Sequence, residues 1–298
     1  MDARKKKWIL VDGHNLAFRC FYGVPVMTRS DGFQTNAIFG YIRTLMRLEI
    51  HHAPDAICVF FDTDGSAIRK QILSTYKANR KKMPDELASQ FDWMKKISLA
   101  FGYYVEANSG VEADDLIGSF AEKIAENDEL AYIASSDKDF AQCVSKNIFQ
   151  LLPPISASKS SDWQLLDEAG VCEKFGVQNH QIVDYLSLTG DTADNISGLS
   201  GVGPKTAAKW LSRFDSIENI YDNIAEVQPE RFQKILLEGK ELLSRNQRLI
   251  KLQDISDFRL PYAEIRPNPQ EVEELLSELE LHSILRDFRA NNQRTLFQ

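Results

Sequence analysis

Four short apolar runs mark the first half of the chain: Trp8 to Val11, Ala56 to Phe61, Tyr103 to Val105 and Leu130 to Ala134. Apolar positions within them are continuous rather than alternating, as in strands covered on both faces of a parallel sheet. Segments with helical spacing separate them, which is the alternation of an α/β unit. A helix is expected to open at Glu112, and another to follow Asp137 through Phe140 and Val144. Leu151 to Ser161 holds two prolines and a cluster of serines and reads as a loop. Beyond it, Trp163 to Phe175 and Gln181 to Leu188 read as helices, a further amphipathic helix starts at Pro204, and Ile217 to Gln298 continues helical and amphipathic. The pattern predicts an α/β domain over residues 1–175, with a parallel central sheet covered by helices, followed by a helical domain over 176–298.

Each predicted strand ends on, or delivers the chain to, an acid. Asp12 follows the first run, Asp62 the second and Asp137 the fourth. In parallel α/β sheets ligands bind at the carboxyl ends of the strands, so these acids are expected to share one crevice. Glu112, Asp114 and Asp115 lie within four positions at a predicted helix start beyond the Tyr103 strand. Like charges that close raise one another's pKa, and a hard divalent cation such as Mg²⁺ relieves them. Each acid also has a plain local role. Ser109 with Glu112 makes a capping box, Asp12 suits a turn before Gly13, Asp137 suits a helix N-cap, and Asp191 and Asp194 suit Asx turns. Their recurrence at every strand end favours a shared metal site over separate caps.

Two other stretches carry charge or exposed amides. Tyr76 to Leu87 is rich in lysine and arginine, and Lys77 and Arg80, three apart, are expected on one helical face. Tyr76 beside them would offer a plane for base stacking, and the two cations would meet phosphate; a solvated basic face is the plainer reading. Gly201-Val202-Gly203-Pro204-Lys205-Thr206 places two glycines ahead of a helix start, where free N–H groups, Lys205 and Thr206 make a phosphate site. No G-x-G-x-x-G or P-loop pattern occurs.

Net charge over the 298 residues is −8, which at first disfavours a nucleic-acid partner. Setting aside nine acids, Asp12, Asp62, Glu112, Asp114, Asp115, Asp137, Asp139, Asp191 and Asp194, leaves 35 basic residues against 34 acidic. Residues 64–100 hold eight basic residues against four acidic. The four cysteines form no C-x-x-C pair, so neither zinc nor disulfides are expected. No apolar run approaches membrane-spanning length, and a cytoplasmic protein is expected.

The segments LVDGHNLAFR, FFD, YKANRKKMPDEL, GVEADDLIG, SDKDFAQ, LTGDTADNISG and GVGPKTAAKWL occur in that order. Together they resemble the motifs of the 5′-nuclease family, above all the amino-terminal 5′→3′ exonuclease domain of bacterial DNA polymerase I, with flap endonucleases more distant. The likeness runs from about Trp8 to at least Asp257, with no polymerase domain after it, as in a free-standing member. It implies a PIN-like α/β fold with a helical arch near 64–100 and a helix–hairpin–helix near 186–214. It implies that the nine acids bind two Mg²⁺ ions, with Mn²⁺ able to substitute, Asp12 acting through water. By the same resemblance Tyr76, Lys77 and Arg80 belong to the arch, Lys77 and Arg80 as catalytic cations. Gly201, Gly203, Lys205 and Thr206 belong to the hairpin that grips duplex DNA, with K⁺ a candidate ion there.

The implied activity is metal-dependent 5′→3′ exonuclease and 5′-flap cleavage by a monomer, on DNA with 5′ ends, flaps or single-strand/duplex junctions, in primer removal and repair. Ser197 where proline is common, Ala193 where serine is common and the long 151–161 loop depart from the family pattern. Two other classes remain: a structure-specific DNA-binding protein without catalysis, which the complete acid set disfavours, and a metal phosphatase for small molecules, which leaves the basic segment and hairpin without a purpose.

Overall fold

A computed structural model of the chain describes residues 4–63, 67–107, 110–154, 162–262 and 266–295. Ser109 and loop residues 155–161 lie outside them. β1 (Lys7–Asp12) leads into α1 (Gly13–Gly23) and α2 (Asn36–His52), then β2 (Ala56–Phe60). Short helices α3 (Ala67–Ile72) and α4 (Asp85–Ala88) precede α5 (Phe91–Ala100) and β3 (Tyr104–Glu106). α6 (Ala113–Glu126), β4 (Leu130–Ala134), a 3-10 turn over Lys138–Gln142, β5 (Ile148–Leu152) and β6 (Gln164–Leu166) complete the sheet. Strand order is β3-β2-β1-β4-β5-β6, parallel except for antiparallel β6.

The continuous apolar runs are explained by double burial. On β1, Ile9 and Val11 face the layer of α1, α2 and α5, while Trp8 and Leu10 face α6. Two expectations fail locally. Leu151 and Leu152 belong to β5 rather than to a loop, and Gln164–Leu166 is a strand, so only Glu168–Phe175 of the predicted helix forms, as α7. The helix predicted after Asp137 is only the 3-10 turn.

The second half runs α8 (Ile182–Thr189), the two-residue strands β7 (Gly190–Asp191) and β8 (Ile196–Ser197), α9 (Pro204–Phe214), α10 (Ile217–Asp222), α11 (Arg231–Glu238) and α12 (Lys240–Ile250). Ile182, Leu186, Trp210, Leu211, Phe232, Leu236 and Leu249 form its core. The expected domain over 176–298 is divided in the structure. Leu252, Ile255 and Phe258 return to the α6 face of the sheet. Helices α13 (Pro269–Glu278) and α14 (His282–Thr295) bury Val272, Leu276, Leu281, Ile284 and Phe288 in the core shared with α2 and α5. Apolar stripes need a face to cover, and the one nearest in space here belongs to the other domain. Among the described residues no helix is long and apolar enough to cross a membrane.

Candidate active site

The strand order reverses direction at β1 and β4, the place where a parallel sheet opens a crevice at its carboxyl edge. Asp12 ends β1, level with Phe60 of β2, and Ser135 and Asp137 follow β4. Asp12 caps α1, accepting from the Asn15 N–H at 2.9 Å, and its other oxygen accepts from Ser135 Oγ at 3.0 Å. Asp62, just past β2, accepts from the Ala113 N–H at 2.8 Å and so caps α6. Asp137 accepts from the Asp139 N–H at 3.0 Å, and Asp191 from the Ala193 N–H at 2.9 Å. Capping and clustering therefore coincide: hydrogen bonds to backbone N–H groups at turns and helix starts aim these carboxylates into one crevice.

Asp12, Asp62, Asp114 and Asp137 act on one another electrostatically. Asp139, Asp191 and Asp194 form an adjoining group, one carboxylate oxygen of each lying within 4.8 Å of the others. Asp137 touches both groups through its field. Burial, with Asp62 and Asp137 nearby, pushes the Asp12 carboxyl up to about 7. Burial also raises Asp114, Asp137 and Asp139, and the neighbouring carboxylates add to it. Asp139 Oδ1 is buried and has no hydrogen-bond partner among the described residues. An orphaned buried oxygen in an all-oxygen cluster fits a hard divalent cation.

A test of that fit follows from the raised carboxyl groups. The folded chain holds protons here that the unfolded chain has lost above pH ~4. Stability of the metal-free protein therefore falls between pH ~4 and the raised value near 7. Its melting midpoint is expected to be lower at about pH 7.5 than at about pH 5. Mg²⁺ should raise the midpoint more at the higher pH, because carboxylate ligands bind metal deprotonated. Equal Mg²⁺ shifts at both values would count against a metal site.

Glu112 is the N-cap residue of α6 and meets cations rather than the open crevice: Lys77 Nζ at 3.0 Å and Arg69 at 3.2 Å. Asp115 departs from the expected ligand set. Both its oxygens are held at 2.7 Å by the Arg69 guanidinium, and Oδ1 also accepts from the Gln253 N–H. It is a buried structural ion pair, one helical position round from Asp114.

The basic segment also differs from expectation. Residues 74–79 are turns, not a helix, and Lys77 has φ +56. The segment is sewn to the β7–β8 loop: the Lys77 N–H donates to Asp194 O, Asn79 to Thr192 O, and Asn195 to Thr75 O. Tyr76 is 5% exposed and its hydroxyl donates to Asp194 at 3.0 Å, so its ring is core and is not presented for base stacking. Lys77 Nζ lies 3.9 Å from both Asp114 and Asp194, and Arg80 2.6 Å from Asp194.

Other positioning residues carry no motif of their own. Gln150, fully buried on β5, donates to the carbonyls of Ser135 and Asp137 and fixes that loop. Asn246 on α12 donates to Ser187 O and Ser197 O behind Asp191 and Asp194. Gly190, at φ +81, lets β7 back onto Gly198, where a Cβ would fall 2.4 Å from the Gly198 nitrogen. Lys138, which lies between two acids already singled out, pairs with Asp191 at 2.9 Å. At the hairpin Gly201 has φ +74, Gly203 is the N-cap residue of α9, and Lys205 is exposed, with Thr206 half-buried.

Residues 7–176 match the model of the 5′-3′ exonuclease N-terminal resolvase-like domain, and 177–273 that of the 5′-3′ exonuclease C-terminal SAM fold. The chain belongs to the 5′-3′ exonuclease family. It is 36% identical over 299 residues to a 5′-3′ exonuclease of Aquifex aeolicus, covering 98% of this chain and all of that one. It is 32% identical over 283 residues to DNA polymerase I of Caldicellulosiruptor bescii, covering 94% of this chain and 33% of the polymerase. In fold it resembles T5 5′-exonuclease with bound zinc (TM-score 0.66, 20% identity, 96% of this chain and 98% of that one). It also resembles the catalytic core of Rad2 in complex with DNA (TM-score 0.64, 15% identity, 92% and 88%). The mostly parallel sheet and trailing helical unit are thus this family's architecture.

Proposed function

We propose that this family member is a Mg²⁺-dependent nuclease that removes nucleotides 5′→3′ and cuts 5′ flaps at single-strand/duplex junctions of DNA, as a cytoplasmic monomer. The observation that carries the reading is the convergence of Asp12, Asp62, Asp114, Asp137, Asp139, Asp191 and Asp194 on one crevice, with Lys77 and Arg80 at its rim. Asp62, Asp114, Asp137, Asp139, Asp191 and Asp194 would hold the ions, and Asp12, whose two oxygens already accept from the Asn15 N–H and Ser135 Oγ, would act through water. These carboxylates would hold divalent ions whose chemistry, when bound, would be positive charge near the scissile phosphate and a more acidic water. Lys77 and Arg80 then orient and neutralise the phosphate. The Gly201–Thr206 turn receives duplex phosphate on backbone N–H groups, with K⁺ as the fitting counter-ion. The similarity to a 5′-3′ exonuclease and to DNA polymerase I supports replication and repair as the setting.

A labelled 5′-flap duplex should be cut with Mg²⁺ and not with EDTA; binding without cutting would favour the non-catalytic DNA-binding alternative. Lys77→Ala and Arg80→Ala should slow single-turnover cleavage on the order of 100-fold, since a preorganised cation at a reacting phosphate is lost. Affinity, measured with Ca²⁺ replacing Mg²⁺, should change only severalfold, because binding is spread over many phosphate contacts. Affinity falling as steeply as rate would make these two ordinary backbone contacts.

A further inference from the structure

His14 lies two residues past Asp12, beside Asp62, and is near enough to Arg80 for that charge to act on it. Its ring stacks on Phe91 at 4.4 Å and meets Phe61 edge-on at 5.9 Å, which fixes its plane. The Asp62 N–H donates to His14 Nδ1 at 3.0 Å. A ring nitrogen that accepts carries no proton, so neutral His14 holds its hydrogen on Nε2 and is a donor there. Nε2 has no hydrogen-bond partner among the described residues, and it is not among the sealed, unpartnered atoms, so it reaches solvent.

Lys95 stands beside it. It lies four residues after Phe91 and therefore shares its face of α5. Its ammonium sits 5.6 Å above the Phe61 ring and is close enough to act on His14 electrostatically. Lys77, Arg80, Arg69 and Lys138 each pair with a carboxylate, whereas half-buried Lys95 pairs with none among the described residues. A cation and an N–H donor, both unspent and both held on an aromatic platform beside a metal-site acid, suit an anion with oxygens to share.

We propose that His14 and Lys95 together bind a phosphate of the DNA strand next to the scissile one, on the Asp62 flank of the crevice. This rests on the nuclease reading above. The strand would then be held by this pair as well as by Lys77 and Arg80, and the added contact fixes the register of the bond to be cut.

The test replaces single phosphates of a 5′-flap duplex with uncharged methylphosphonates and reads Kd with Ca²⁺ in place of Mg²⁺. In the wild-type protein one linkage adjacent to the scissile phosphate should weaken binding about tenfold when neutralised. Lys95→Met keeps the stem over Phe61 and removes the charge. Its Kd should rise severalfold, its salt slope should fall by about one phosphate, and the penalty at that linkage should shrink to under about twofold. His14→Asn serves as the second variant, because Oδ1 can take the place of Nδ1 toward the Asp62 N–H while nothing replaces the Nε2 donor. It should shrink the same penalty, with its melting midpoint showing that the fold is kept. Undiminished penalties at every linkage in both variants, with wild-type cleavage intact, overturn the subsite alone. Wild-type protein that fails to cut the unmodified flap overturns the nuclease reading and the subsite with it.

Discussion

Asp114→Asn is expected to lower single-turnover cleavage of a 5′-flap duplex on the order of a thousandfold while the metal-free protein stays folded and melts no lower than the parent. The rate follows from losing a ligand among acids that present charge to the scissile phosphate, a contribution of several kcal/mol at about 1.4 kcal/mol per tenfold. The stability follows from the neighbourhood. Burial raises the Asp114 carboxyl, and Asp137, Asp12 and Asp62 repel its charge, with Lys77 at 3.9 Å only partly compensating. An amide removes that repulsion and remains at the first turn of α6. Near-parental rates in the variant would sink the metal assignment, and a large drop in melting midpoint would assign Asp114 to the framework instead.

Arg69→Leu should do the reverse. Arg69 is 2% exposed and holds Asp115 through two 2.7 Å bonds, Glu112 at 3.2 Å and the Leu249 carbonyl at 2.8 Å. Removing one partner of a buried ion pair strands the other, at a cost of about 3–5 kcal/mol. For a chain of this size that lowers the melting midpoint by on the order of 10 °C. The double variant Arg69→Leu with Asp115→Leu should recover part of the loss, because the buried Asp115 charge is no longer stranded, although Glu112, the Leu249 carbonyl and the Gln253 N–H still lose a partner. A double variant no more stable than Arg69→Leu would mean that the Leu249 and Glu112 contacts, not the pair with Asp115, carry the stability.

The contrast between adjacent acids shows where sequence reasoning stops. Asp114 and Asp115 are indistinguishable in composition, and a helix turns them about 100° apart. Which one faces the crevice depends on Arg69, more than forty residues earlier, and that pairing has no local signature. Tyr76 fails in the same way, since its hydroxyl partner is Asp194, 118 residues on. Strands β1, β2 and β4 were legible because burial on both faces leaves an uninterrupted apolar run. Strand β6 was not, because three residues are too few to separate period 2 from the first turn of α7. The strand-end acids were legible because parallel topology alone brings them together. Gln150 and Asn246 were not, since a buried amide that holds a carbonyl looks like any other amide in a sequence. His14 gave one available signal, its place two residues after Asp12.

The docking of α13 and α14 on α2 and α5 also bears on how the protein is made. The Ala100 carbonyl accepts from the Asn268 N–H, and Arg43 pairs with Asp287 at 2.6 Å, so the first domain closes with the last helices. At synthesis rates of about 5–20 residues per second, the apolar face of α5 waits roughly 10–40 s on the ribosome for its cover. During that interval the apolar positions of α2 and α5 that α13 and α14 will cover stay open, a surface prone to sticking to its neighbours on a polysome. Translation speed and chaperone supply should therefore set the yield of active protein more strongly than its final stability does.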